Sequence, residues 1–361
     1  MSDLKKPIDW AGAGVSDAEP KISEDNPKDQ TAYDPLPKAD IAVITWTSAE
    51  WDAMKYVFTY KAYADYDYSK EVWQPYSRNF YTVYQDLWTH SLIGTATADP
   101  ITPPSLTSME WGYSCLITIG AKTVLLLKSS MHMSTDGVTI PLRQFLRQII
   151  EESGAKLVLT IGTAGGTQED GYLGDVNITN QATFELTGTL ENAPFNKQTF
   201  KSDWKPNMDS KYMKAAQSLV SPVESLTVYV PGAGYPVETT IKPYTRDPKI
   251  TDFTDKLPLL TTNGFVTGYI NVPEDHDYDK NYLGDDYCVV EEDDAIVGMT
   301  VGEYDGVQFG CVRNLSDGAV NYDLQGELAS TWPSTIYSSK GFDTAVNGAI
   351  VTWAAIAGMT R

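Results

Sequence analysis

The sequence predicts an α/β protein. Three features carry that prediction: short apolar runs rich in β-branched residues, amphipathic runs of helical period between them, and capping or turn residues where they meet. The first apolar run is Ile41-Ala-Val-Ile-Thr45, which reads as a strand buried on both faces. Thr47-Ser-Ala-Glu50 follows it and marks a helix start ahead of Trp51-Asp-Ala-Met-Lys-Tyr-Val-Phe58. Cys115-Leu-Ile-Thr-Ile-Gly120 and Thr123-Val-Leu-Leu-Leu-Lys128 read as consecutive strands joined at Gly120. Pro141 opens a helix whose apolar residues Leu142, Phe145, Leu146, Ile149 and Ile150 recur at helical spacing, and Gly154 ends it. Lys156-Leu-Val-Leu-Thr-Ile-Gly162 is then another buried strand, so helix feeds strand through a short glycine-containing loop. Further on, 294–304 is expected to be helical, 307–315 to be a final buried strand, and 341–357 to be a small-residue helix packed on the sheet.

Two stretches differ in character. Residues 1–38 are rich in Asp, Glu, Lys, Pro and Ser and are expected to form an acidic arm, extended and either mobile or wrapped on the surface. Residues 185–262 are dominated by Pro, Lys, Thr and Tyr, apart from a helical run at 210–219, and read as an insertion at the rim of a single domain spanning 39–361.

The 361 residues carry 27 Lys+Arg against 48 Asp+Glu, a net charge of −21. Duplex binding rests on cationic side chains that neutralise phosphates, so nucleic acid is excluded as a partner, although a local pocket can still take a small phosphorylated or uncharged ligand. Cys115, Cys288 and Cys311 lie far apart, with no CxxC pair and no Cys/His cluster, and are expected to be buried apolar residues that bind no metal. The chain starts without an apolar leader and has no run near the roughly 18 apolar residues of a membrane span, so a soluble cytoplasmic location is expected.

In an α/β sheet, ligands bind at the carboxyl ends of strands. Four polar segments lie there: Thr47-Ser-Ala-Glu50, Lys128-Ser-Ser-Met-His132, Gly162-Thr-Ala-Gly-Gly166 with Gly171-Tyr-Leu-Gly-Asp175, and Ser316-Asp-Gly-Ala319. Each has a plain structural reading as a turn, a cap or a first-turn acid. Their order carries more than any one of them. Ile161-Gly-Thr-Ala-Gly-Gly166 with Leu173-Gly-Asp-Val176, followed much later by Val312-Arg-Asn-Leu-Ser-Asp-Gly-Ala319, resembles the signature of the nucleoside phosphorylase/nucleosidase superfamily. That superfamily includes purine nucleoside and uridine phosphorylases and methylthioadenosine/S-adenosylhomocysteine nucleosidase. The resemblance covers about 39–181 and 264–357. It implies a three-layer sandwich with a central mixed, partly barrel-like sheet flanked by helices, no cofactor, and a homo-oligomer acting on a small-molecule nucleoside.

The resemblance also implies roles. Asp317 falls at the position of the acid that protonates the departing purine, and Ser316 would orient it; a carboxyl with a raised pKa suits that task. Glu50 falls where the nucleosidases place the carboxylate that activates water. Thr163, Ala164, Gly165 and Gly166 would line the sugar and nucleophile site. Tyr269 would stack on the purine, with Phe265 as the alternative. The family's Met-Glu pair for the sugar hydroxyls is replaced: its spacing lands on Asp294 with Asp293 before it, and Glu292 is the other candidate carboxylate. His90 and His132 are expected to be structural. The phosphorylases bind phosphate with arginines in the first turn and ahead of the glycine-rich motif, where this chain has Thr45-Trp-Thr-Ser-Ala-Glu50 and Val158-Leu-Thr-Ile161. Water is therefore the expected nucleophile, and the expected enzyme is an N-ribosyl hydrolase. The alternatives are a phosphorylase, a non-catalytic nucleoside-binding protein, and a nucleotide substrate with Lys128 and Arg313 on its phosphate.

Overall fold

The computed structural model describes residues 7–31, 34–59, 72–79, 108–132, 142–167, 171–223, 227–231, 236–240, 247–263, 285–318 and 327–359. In chain order the strands are β1 (Lys21–Ile22), β2 (Ile41–Thr45), β3 (Gln74–Asn79), β4 (Ser108–Ile119), β5 (Lys122–Ser129), β6 (Leu157–Gly166), β7 (Val176–Thr179) and β8 (Gln181–Glu185). They continue as β9 (Thr199–Lys201), β10 (Thr227–Pro231), β11 (Pro236–Thr240), β12 (Ile250–Asp252), β13 (Leu259–Thr262), β14 (Val289–Glu291) and β15 (Gln308–Gly318). The α-helices are α1 (Ser48–Phe58), α2 (Leu142–Ser153), α3 (Lys211–Leu219), α4 (Asp294–Val301) and α5 (Glu327–Ala357).

Among the described residues, thirteen strands form one open, mixed sheet ordered β1-β4-β5-β2-β6-β14-β13-β8-β9, with β15 against β6 and β7, β12 against β7, and β3 against β4. The sheet does not close into a barrel. Strands β5, β2, β6 and β15 run parallel, so their carboxyl ends share one edge. Period-two alternation along the central strands separates two apolar layers. Ile41 and Val43 of β2 and Leu157, Leu159 and Ile161 of β6 face one layer with α1 and α5; Ala42, Ile44 and Val158 face the other with α2 and α4. The sheet flanked by helices is the predicted α/β class.

Each expected element has its physical reason in the structure. All five residues of β2 are buried, as its unbroken apolar run requires. Thr47 and Glu50 make a reciprocal capping box at α1. Gly120 turns β4 into β5 at φ +57°, and Gly154 leaves α2 at φ +71°, both in the left-handed region open to glycine. The 185–262 stretch holds α3, capped by Ser210, the β10-β11 hairpin and β12; its last strand, β13, lies within the main sheet between β14 and β8.

The described part of the acidic arm lies on the core. Trp10 packs on Trp353 with ring centroids 4.4 Å apart, and Trp353 Nε1 donates to the Ala18 carbonyl at 2.7 Å. Val15 and Ala18 are buried beside them, Asp17 pairs with Lys211 at 2.9 Å, and β1 adds an antiparallel edge to β4.

Candidate active site

Four of the strand ends meet around one buried ion network. Glu50, in the first turn of α1, is 3% exposed and accepts five hydrogen bonds. Its Oε2 takes Thr45 Oγ1 at 2.8 Å, Trp46 N at 3.0 Å and Thr47 N at 2.9 Å; its Oε1 takes Thr163 N at 2.8 Å and Thr163 Oγ1 at 2.7 Å. The capping acid of one helix is thus also a bridge from the end of β2 to the glycine-rich end of β6. Burial raises the Glu50 pKa, but the nearby Arg313 guanidinium and the hydrogen bonds from Thr47 and Thr163 outweigh it, so the carboxyl lies below its ordinary value.

Arg313 of β15 is the cation of this network and is 3% exposed. Its Nε donates to Asp294 Oδ2 at 2.9 Å, its Nη2 to Glu291 Oε2 at 3.0 Å and also to Asp294 Oδ1, and its Nη1 to the Thr163 carbonyl at 3.4 Å. The guanidinium lies 5.2 Å from the Trp46 ring centroid. Burial works against its charge, yet Asp294, Glu291 and Glu50 together hold its pKa above the ordinary arginine value. Glu291 also accepts from the backbone N–H groups of Asp293 and Asp294 and from the Thr261 hydroxyl. Burial, and then the charge of Asp294, push the Glu291 carboxyl well above its ordinary value, with Arg313 offsetting part.

Gly162 leaves the room in which Glu50 and Arg313 both pack against the strand. A Cβ placed there would collide with Arg313 Nη1 and sit 2.7 Å from Glu50 Oε1. The glycine-rich motif is not a loop after the strand but its continuation: β6 runs through Gly166, pairing Gly165 and Gly166 with Val290 and Val289 of β14 on one side and with Asp317 and Gly318 of β15 on the other. Absent side chains let these three strands converge at one point. The register slips between Leu315 and Asp317, so Ser316 is the extra residue of a bulge, a device that re-aims a strand end. Ser316 is buried, with its hydroxyl donating to the Ala164 carbonyl at 3.5 Å. Asp175 serves the turn after Gly174: its carboxylate accepts from Tyr172 N at 3.0 Å and Lys249 N at 2.7 Å.

The sequence-named residues thus separate. Glu50 is bonded to Thr163, whose carbonyl accepts from Arg313, and Arg313 in turn holds Asp294; Ala164, Gly165 and Gly166 line the adjoining strand; the Asp317 backbone lies opposite Gly165. The Asp317 side chain, Tyr269, Phe265 and His90 lie outside the described residues. Glu292 and Asp293 turn away from Arg313 toward His132, whose Nε2 is 3.5 Å from Glu292 Oε2 and 3.2 Å from Asp293 Oδ2. His132, expected to be merely structural, therefore has two acidic neighbours. Glu291 was missed. The signal available was its place at the end of a Val-Val strand, where alternation turns it inward while the next two acids lie in the turn before α4. Among the described residues, no group of His, Cys, Asp or Glu is arranged to hold a metal ion, and no helix is long and apolar enough to cross a membrane. All three cysteines are buried and free.

No family model matches the chain, and no curated protein does. Solved structures do. The 5′-methylthioadenosine/S-adenosylhomocysteine nucleosidase of Helicobacter pylori, with butyl-thio-DADMe-Immucillin-A, superposes at a TM-score of 0.50 with 11% identity, over 89% of this chain and 99% of that one. The chain has the nucleosidase fold. The Neisseria meningitidis enzyme of the same name, in complex with methylthio-immucillin-A, gives 0.49 and 13% over 88% and 99%. Helicobacter pylori futalosine hydrolase gives 0.47 and 11% over 88% and 97%. These neighbours belong to the nucleoside phosphorylase/nucleosidase superfamily that the motifs resemble, and at 11% identity the first of them speaks to the fold alone.

Proposed function

We propose that this protein is an N-ribosyl hydrolase that cleaves the glycosidic bond of a purine nucleoside with water as the nucleophile. The observation that supports water over phosphate is the state of Arg313. Its guanidinium is sealed against Asp294 and Glu291, and even with a proton on Glu291 the carboxylates Glu50 and Asp294 outnumber it. A phosphate dianion entering beside that network meets net negative charge in a medium that screens little. Arg313 therefore serves to hold acids, not to bind phosphate.

In this reading Glu50 takes the proton of the attacking water. Three of its five donors are backbone N–H groups, fixed in place, and Thr45 is fully buried; the hydroxyl of Thr163 can rotate and sits on the open side. Turning that hydroxyl toward water frees one lone pair of Oε1. Asp317, at the strand end beyond the bulge, protonates the leaving base, because the bond breaks only as charge developing on the base is neutralised. The test is release of free base from purine nucleosides in phosphate-free buffer. Release at an undiminished rate supports the reading; strict dependence on added phosphate replaces it with a phosphorylase. Asp317→Asn should lower kcat by about 10²–10⁴-fold with the fold retained.

A further inference from the structure

A cavity of about 170 Å³ opens beneath the acidic arm. Three segments wall it: Pro7, Ile8 and Trp10, then the stretch from Glu19 to Ile22, and the end of α1 from Tyr56 to Thr59. Glu50 stands at the other end of α1, roughly 12 Å away along the helix axis, so the cavity is separate from the candidate active site. Each wall is held by contacts outside the cavity, so the walls cannot close on it. The Trp10 ring is committed to Trp353 at 4.4 Å, and the Tyr56 ring meets Phe342 edge-on at 6.2 Å. Lys21 and Ile22 pair with Thr118 and Ile117 of β4. The Thr59 hydroxyl donates to the Lys55 carbonyl at 3.1 Å and accepts from Trp73 Nε1 at 3.3 Å. Pro7 and Pro20 fix the backbone angle on either side of Trp10.

The size and lining select the occupant. Trp10, Tyr56, Val57 and Phe58 are buried and apolar, whereas Glu19 is partly exposed and Lys21 fully so. Those two charges are opposite in sign and cancel, so no net charge draws an ion in. Water needs two to four polar partners to settle, and the Thr59 hydroxyl is already engaged. An apolar cavity of about 150 Å³ suffices for benzene, whereas a drug-sized ligand needs roughly 300 Å³ or more, so the space matches a single small ring system. We propose that this cavity is a binding site for a small uncharged aromatic compound, of the size of toluene or indole. Its occupant touches the arm on one side and α1 on the other, and so fastens the arm to the core. The ring gains by leaving water for apolar walls that are already in place, with little ordering left to offset.

The experiment titrates the full chain with toluene, indole and benzoate by calorimetry and NMR, and repeats the titrations on Ile8→Trp, which fills the cavity, and Ile8→Leu, which keeps its volume. Toluene and indole should bind saturably with a Kd of about 1 mM or below, and benzoate at least about tenfold more weakly, because its charge finds no partner inside. Ile8→Trp should abolish binding and Ile8→Leu should retain it. In limited proteolysis, indole at about ten times its Kd should slow cutting of the arm about tenfold, since only the docked arm forms the site. Nuclear Overhauser contacts from bound indole to Trp10 and Phe58 locate the ligand in wild type, which keeps the proposal testable should Ile8→Trp fail to fold. No saturable binding of either neutral ring, benzoate binding as tightly as toluene, binding that survives Ile8→Trp, an arm cut no more slowly, or contacts to other residues alone overturns the assignment. These readouts use no base release, so they stand or fall apart from the nucleosidase reading.

Discussion

Glu50→Gln removes the charge of the most heavily hydrogen-bonded carboxylate and keeps its shape. The geometry decides how the amide lies. With its carbonyl toward Trp46 N, Thr47 N and Thr45 Oγ1, two backbone donors and one hydroxyl stay satisfied, and the amide NH₂ is brought against Thr163. The Thr163 hydroxyl can turn and accept from it; the Thr163 N–H, 2.8 Å from Oε1 in the native protein, cannot. The opposite orientation would orphan two backbone N–H groups, so the first prevails. One buried N–H without a partner costs about 1–3 kcal/mol, and the loss of charge weakens the remaining bonds and removes an attraction to Arg313. Together these effects place the loss at about 3–5 kcal/mol, the range for removing one charge from a buried ion cluster, out of the roughly 5–15 kcal/mol by which a native protein is stable. Urea unfolding of both proteins measures it. Because the folded carboxyl lies below its ordinary 4.5, its stabilisation is fully present above that pH and is lost as the pH falls through the folded pKa. The gap between wild type and Glu50→Gln should therefore be full at neutral pH and close only in strong acid. A variant within about 0.5 kcal/mol of wild type at neutral pH, or a gap that widens on acidification, refutes the reasoning.

Gly162→Ala should destabilise by about 1–3 kcal/mol, as overpacking does, and should also impair turnover, because the new methyl displaces both Glu50 and Arg313; paired urea and activity measurements check both. The thiols of Cys115, Cys288 and Cys311 are buried and burial pushes their pKa values up, so a thiol reagent at mildly alkaline pH should label none of them until the protein is unfolded. Trp10→Ala should cost about 3 kcal/mol by emptying the contact with Trp353, and should make the arm the first segment cut in limited proteolysis.

Local pattern made much of the fold legible. A five-residue apolar run specified β2, a Thr-Ser-Ala-Glu start specified α1, and Gly120 and Gly154 marked real reversals. Pattern failed where long-range contacts decide. The capping box of Glu50 can be read from spacing, but its bond to Thr163, 113 positions away, cannot. The sequence around Glu291 offers four consecutive acids; which pair meets Arg313 depends on where strand alternation gives way to helical period, and that boundary is set by pairing with Gly165 and Gly166. His132 carries no local sign of its acidic neighbours, which come from the far side of β6. The arm's composition suggests solvation, yet Trp10, Val15, Ala18 and Leu36 are buried, and β1 and the Asp17–Lys211 pair add to its hold on the core.

The most direct test of hydrolysis is product identity. A purine nucleoside incubated with the enzyme in the presence of phosphate, followed by ³¹P NMR and sugar analysis, should yield free base and free ribose in equal amounts and no ribose 1-phosphate. Formation of ribose 1-phosphate, or no cleavage of any purine nucleoside, would contradict the account.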